Sequence, residues 1–272
     1  MLYFDYSATT KPLDEVLETF TKVSKEFVGN PNSLHSLGVE SKNLIDASTR
    51  QIAEILNVQD DEIIYTSGSS ESNNLAIKGI SEAYQNRGKH IITTPLEHSS
   101  IYGPLGYLQK KGYEVSFCKL KEDGTIDLEH LDSLIRKDTI LVSIALVNSE
   151  LGVRQPIEEI GERLQKYDHV FFHVDATQAI GKINIDFSNV DLFSFSAHKF
   201  FGIKGIGALI KKKNVRLEPL IHGGKSTTKY RSGTPAPALI ASLAKALRLA
   251  YENFDSKLDY VTKLNQELKQ FL

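Results

Sequence analysis

A single cysteine, Cys118, stands among 272 residues. One thiol cannot close an internal disulfide, and without a cysteine cluster there is no thiolate set for zinc or an iron–sulfur centre. That fits a reducing, cytoplasmic setting. Charge of one sign is equally scarce: 32 Lys and Arg nearly cancel 34 Asp and Glu, leaving a formal charge of −2. No general basic field therefore favours nucleic acid or an anionic membrane, and any partner has to be recognised locally. No uncharged apolar run approaches the roughly 18 residues that span a bilayer. The opening MLYFDYSATTKPLDE has no basic leader followed by an apolar stretch, so the expectation is a chain neither secreted nor held in a membrane. Internal repeats and low-complexity tracts are missing too.

What is present is material for a large core, with 41% hydrophobic and 24% charged residues. Short β-rich apolar runs alternate with longer helical patterns, which predicts an α/β fold with a mainly parallel sheet of about seven strands flanked by helices. The expected strands are 62–66, 90–94, 114–119, 140–146, 170–175 and 192–196, with 207–210 as a short seventh that could run antiparallel. Between them, 34–56, 71–86, 99–111, 128–136 and 156–167 carry apolar residues near helical spacing. After Arg216 comes the polar loop HGGKSTTKYRSGTPAP, longer than the roughly 12–15 residues usual for a structureless link, which points to a binding loop or disorder. Two closing helices follow, 238–254 and 257–272.

Four strand ends carry chemistry. The first runs from YTSGSS into a helix; Gly68 lets backbone approach an anion, while Ser69 and Ser70 offer hydroxyls and N–H groups at a helix N-terminus. An ordinary serine-capped helix reads the same way, and no P-loop or GxGxxG is present. The second, FFHVDATQ, puts Asp175 at the C-terminal edge of a buried strand, as a helix cap or a ligand contact. The third, SFSAHKF, brings Ser196, His198 and Lys199 to the same edge. A desolvated lysine is a Schiff-base nucleophile, and an aspartate facing a pyridinium nitrogen keeps such a ring an electron sink. His98, at a fourth strand end in TPLEHSS, could stack on an aromatic ring and carry protons, or sit on the surface at a helix start. The remaining histidines lack the spacing of a metal site, so no metal is expected.

Taken together the chain resembles the cysteine desulfurases, class-V aminotransferase members of the fold-type I pyridoxal-phosphate (PLP) enzymes. The resemblance is carried by YFDYSATT, GNPNSLH, TSGSSESNNLAIKG, VNSELGVRQPI, HVDATQAIGK, SFSAHKFFGIKGIGAL and the HGG and RSGT segments between His222 and Thr234. It implies that Lys199 holds PLP, Asp175 pairs with the ring nitrogen and His98 stacks on the ring. Gln178 and Asn148 would face the ring hydroxyl. Gly68, Ser69, Ser70, Ser196 and His198 would hold the phosphate, and Thr234 would reach in from a partner subunit, implying a homodimer. Lys199 and His98 would move protons while L-cysteine gives alanine and its sulfur passes to a protein thiol, for iron–sulfur assembly or tRNA thiolation. Ser69-Ser70 stands where the family has Ala-Thr, a change that keeps a hydroxyl.

The family's sulfur-accepting cysteine and carboxylate-gripping arginine belong to a C-terminal region without counterpart in this sequence. Cys118 does not align with that nucleophile and reads as a buried structural cysteine. The expected organisation is an N-terminal segment, 1–14, a PLP-binding large domain, 15–255, and at 256–272 the start of a helix toward a small domain largely absent. Such a chain is an incomplete product, an enzyme completed by another chain, or a homologue that binds cofactor or a partner without turnover. The intact set of cofactor positions favours the first. Another class-V aminotransferase or lyase activity is the alternative chemistry.

Overall fold

The computed structural model describes residues 2–272. Its seven strands form one sheet: β1 (Ile63–Thr66), β2 (His90–Thr93), β3 (Glu114–Phe117), β4 (Thr139–Ala145), β5 (Phe171–Asp175), β6 (Leu192–Ser196) and β7 (Gly207–Lys211). The order across the sheet is β1-β7-β6-β5-β4-β2-β3. Neighbours from β6 to β3 are parallel, while β7 runs antiparallel to both β6 and β1. Two antiparallel steps cancel, so β1 points the same way as the parallel block. Its C-terminal end therefore lies at the same edge as those of β2, β4, β5 and β6.

The central strands are buried end to end, which is why they read as nearly continuous apolar runs rather than as alternations. Their side chains divide between two cores with a period of two. Ile63, Phe172 and Val174 face one core, packed by α1 (Asp14–Glu26), α2 (Ser36–Leu56), α5 (Leu128–Leu134), α6 (Ile157–Leu164) and α7 (Pro237–Tyr251). Ile64, Phe171 and Leu209 face the other, packed by α3 (Ser69–Ala83) and α4 (Ser99–Gln109). Two strand histidines are held by hydroxyls on adjoining strands. His90 meets Thr139 and Ser116, each at 2.8 Å, and His173 meets Ser143 and Ser194, each at 2.9 Å.

The expected strands are all present within a residue or two, and β7 is antiparallel. One helix was not anticipated. In α1 the side chains of Val16 and Val23 are buried, with Phe20 half-buried between them, and Asp14 and Glu15 in the first turn and Lys25 in the last complement the helix dipole. Asn253, in the left-handed conformation, separates α7 from α8 (Phe254–Phe271). Seven residues of α7 are buried, and none of α8.

Candidate active site

Five strand ends converge on one cavity of about 720 Å³, within the size range of small-molecule sites. Ser69, Ser70, His98, Asn148, Asp175, Gln178, His198 and Lys199 line it. The N-terminal segment closes one side. Thr10 donates from N and Oγ1 to the His198 carbonyl, each at 2.9 Å, and its Oγ1 accepts from Phe201 N at 2.7 Å. This clamp places the Ser7 and Ala8 carbonyls 2.6 and 2.8 Å from Lys199 Nζ. Burial lowers the Lys199 pKa, against the opposing pull of Asp175 and Asp5. His198 is lowered too, by burial and then by Lys199, Lys204 and Lys182, while its Nδ1 meets Thr9 Oγ1 at 3.0 Å.

Opposite the lysine lies a buried floor. Asp175, 6% exposed, accepts hydrogen bonds from Thr177 N at 3.0 Å, from the Thr177 hydroxyl and from Asn73 Nδ2 at 2.7 Å. Asn73 is fully buried on α3 and gives its second amide hydrogen to Ser100 Oγ at 2.9 Å. Turning the amide over would set its oxygen against the Asp175 carboxylate, so its orientation follows from that charge. Because Ser100 Oγ accepts from Asn73, its own hydrogen turns to His98 Nδ1, 2.9 Å away; the Ser100 backbone N–H donates to the same nitrogen at 3.1 Å. A ring nitrogen facing two donors carries no hydrogen, so neutral His98 bears its proton on Nε2.

At the end of β1 the chain makes a cradle. Gly207 is in register with both Thr66 and Ser196, and a Cβ on it would come within 2.8 Å of Gly68 Cα. A Cβ on Gly68 would itself meet Ser196 Oγ at 3.3 Å. Only glycine allows this approach. Helix α3 then starts without a side-chain cap, leaving the N–H groups of its first turn for an anion. Glu71 braces the turn, accepting from Ser67 N at 2.7 Å and pairing with Arg231 Nε at 2.9 Å.

A match to the model of the class-V aminotransferase family extends over residues 2–272. The chain belongs to that family. Among its relatives, the cysteine desulfurase IscS of Dictyoglomus turgidum is 42% identical over 97% of this chain and 67% of its own length. The mitochondrial cysteine desulfurase of Saccharomyces cerevisiae is 43% identical over 98% of this chain and 54% of its own. A solved NifS-like protein superposes with a TM-score of 0.96 at 38% identity, covering 99% of this chain and 74% of that one. A structure described as SspA in complex with cysteine gives 0.87 at 38% identity, covering 91% and 72%.

In this class-V chain most residues singled out from sequence share the cavity, and three stand apart. Gly68 and Ser196 touch at the cradle behind Ser69. Thr234 lines a separate, smaller cavity with Tyr65, Ser67 and Ile206. Asn148 spends its side chain on the loop: Oδ1 accepts from Glu150 N and Leu151 N, and Nδ2 donates to the Leu96 carbonyl at 2.9 Å. Gln178 bridges Ser7 O and Lys182 Nζ. Cys118 lies just past β3, 1% exposed, donating to the Asp127 carbonyl at 3.3 Å; burial first and Asp127 second push its thiol up to about 12. It is not among the cavity's residues.

Sequence reading passed over the Ser7 and Ala8 carbonyls, Asn73, Ser100, Glu97 and Lys182. Burial, then Lys199, pushes Lys182 down to about 8. The available signal for Glu97 was an acid beside His98 in a segment bounded by buried residues. Backbone carbonyls carry no side-chain signal at all.

Proposed function

We propose that this chain binds PLP through Lys199 and acts on L-cysteine as a cysteine desulfurase, releasing alanine and passing sulfur to a thiol. The observation that carries the reading is the meeting, in one cavity, of a lysine with a lowered pKa, a buried carboxylate braced by neutral donors, a histidine with a fixed tautomer and a glycine cradle beside an uncapped helix. These fit the group. Its phosphate matches the N–H groups and hydroxyls of Ser69 and Ser70 with Ser196 and His198 close by, its ring nitrogen matches Asp175, and its aldehyde matches Lys199.

Bound there, PLP would supply an electrophilic carbon and a cationic ring that withdraws electrons from the substrate. Asp175 would stand as counter-charge to a protonated ring nitrogen, while Thr177 and Asn73 hold its carboxylate in place. Lys199, whose ammonium donates one hydrogen each to the Ser7 and Ala8 carbonyls, becomes nucleophilic by losing a proton, a loss that burial favours. His98 has one nitrogen committed to Ser100 and one left for the cavity, so proton transfer there passes through Nε2. Gln178 and the remaining Asn148 amide hydrogen are donors for the ring hydroxyl. The acceptor of sulfur is a thiol other than Cys118, whose burial and raised pKa deny it thiolate character.

Partner, place and division of the chain belong to the same proposal. A homodimer is supported by Thr234, which lies outside its own chain's cavity, and by exposed Leu2, Phe4, Val28 and Leu34. A cytoplasmic location rests on the unpaired cysteine; no helix among the described residues is long and apolar enough to cross a membrane. The division into an N-terminal segment, a cofactor-binding body and α8 as the lead to a further domain is supported by the lack of any buried residue in α8.

The test is reconstitution with PLP, borohydride reduction and peptide mapping, followed by assay of alanine from L-cysteine with and without added thiol. Label on the Lys199 peptide and thiol-dependent alanine are expected. Label at another lysine, Lys182 included, overturns the site assignment. Label at Lys199 with no alanine under any thiol overturns the activity and leaves the cofactor site standing.

A further inference from the structure

Four acids line the cavity; Asp5 and Glu150 are exposed, and of the two buried ones the mechanism above uses only Asp175. The other is Glu97, 7% exposed, at the end of the β2–α4 connection. Its Oε1 lies 2.7 Å from Thr94 Oγ1, a contact in which a protonated carboxyl donates to the hydroxyl oxygen, and the Ala145 N–H lies 3.1 Å from Oε1 and 2.9 Å from Oε2. Glu97 thus ties the segment bearing His98 to the end of β4, a tie repeated by Asn148 Nδ2 on the Leu96 carbonyl.

The two acids are supported unequally. Asp175 takes three hydrogen bonds spread over both oxygens. Glu97 has one obligatory donor, the Ala145 N–H divided between its oxygens, beside the Thr94 hydroxyl, and no lysine, arginine or histidine bonds to it. Lys199, the lysine in the same cavity, gives its ammonium to Ser7 and Ala8. Two neighbouring buried carboxylates without a bound cation do not both stay charged; the better hydrogen-bonded one keeps the charge and the other keeps a proton.

We infer that Glu97 is held as the neutral carboxylic acid and acts as a positioning residue, leaving Asp175 as the one negative charge on the floor. Burial pushes the Glu97 carboxyl up to about 8, with the Asp175 charge adding to the shift and the Thr94 and Ala145 bonds opposing it. The other groups facing it are His98 beside it in the chain and Tyr102, whose hydroxyl donates to the Thr94 carbonyl at 3.3 Å and whose own pKa is raised by burial. The consequence for catalysis rests on the proposed reading of the cavity: a single anion faces a singly charged ring. The protonation state itself does not depend on that reading.

Infrared spectroscopy of the full chain without cofactor tests it, since a carboxylic acid C=O stretch is separate from carboxylate bands. At pH 7 one such band is expected in wild type. It should shift when glutamate carries a side-chain 13C label, stay put when aspartate does, and vanish in Glu97→Gln. As pH rises its intensity should fall, and in Asp175→Asn that fall should come at a lower pH. No acid band at pH 7, or a band that follows the aspartate label, overturns the inference; the labels decide this in unmutated protein even if a variant fails to fold. A failure of the PLP reading shows instead as missing label at Lys199, and leaves the band untouched.

Discussion

On the floor of the cavity Asp175 is buried and bonded to Asn73 and Thr177, while on the facing wall Lys199 is only partly buried and rests on the backbone carbonyls of Ser7 and Ala8. The floor group is part of the packing between α3 and the sheet. The wall group is held by a clamp that can let go. The same chemical site therefore contains residues whose loss costs stability and residues whose loss costs only chemistry, and the difference lies in how many buried partners each leaves unsatisfied.

The sharpest contrast comes from Lys199→Ala. Borohydride-trappable cofactor should disappear entirely while the unfolding midpoint moves little, because the carbonyls left behind can turn to water. Peptide mapping and thermal unfolding on the same samples check both halves. A large fall in stability would erase the distinction between wall and floor.

Asp175→Ala should behave in the opposite sense. It strands the buried Thr177 N–H and one Asn73 amide hydrogen, at roughly 1–3 kcal/mol for each unsatisfied group, and cofactor retention should fall with it. Denaturant unfolding with and without PLP measures the two effects separately. If Asp175→Ala proves no less stable than Lys199→Ala, the floor is not part of the core as described.

Behind the floor the contrast extends to pH. Burial holds His173 well below the ordinary imidazole range, against the pull of Asp175. The unfolded chain therefore binds a proton below about pH 6.5 that the folded chain refuses, and the folded state loses stability as pH falls, by up to about 1.4 kcal/mol per pH unit from this group. His173→Gln, which can still meet Ser143 and Ser194, should flatten that limb in urea titrations between pH 6.5 and 4.5. An unchanged slope would assign the acid limb to other groups.

How far these features could be read beforehand depended on sequence distance. The buried strands announced themselves through local apolar runs, and Lys199, Asp175 and His98 through their places at strand ends. Helix α1 was legible but passed over: Val16, Phe20 and Val23 recur at helical spacing along one side of a charged segment. Asn73 was invisible as a site residue because its partner Asp175 is 102 positions away, and the clamp on Lys199 spans 192. Glu97 meets Ala145 across 48 positions. Such pairings are set by strand order, which no local pattern encodes.

Cys118→Ala is expected to do least. The residue lies beyond both floor and wall, packed in the larger core with its Sγ on the Asp127 carbonyl, so trimming one buried sulfur should cost about 1 kcal/mol. Lys199 labelling and thiol-dependent alanine release should both persist at wild-type levels. Loss of alanine release with labelling and stability intact would mean that this thiol reaches the cavity in some other conformation. It would then be the sulfur acceptor despite its burial, and the separation of core from chemistry would fail at the residue where it is expected to be cleanest.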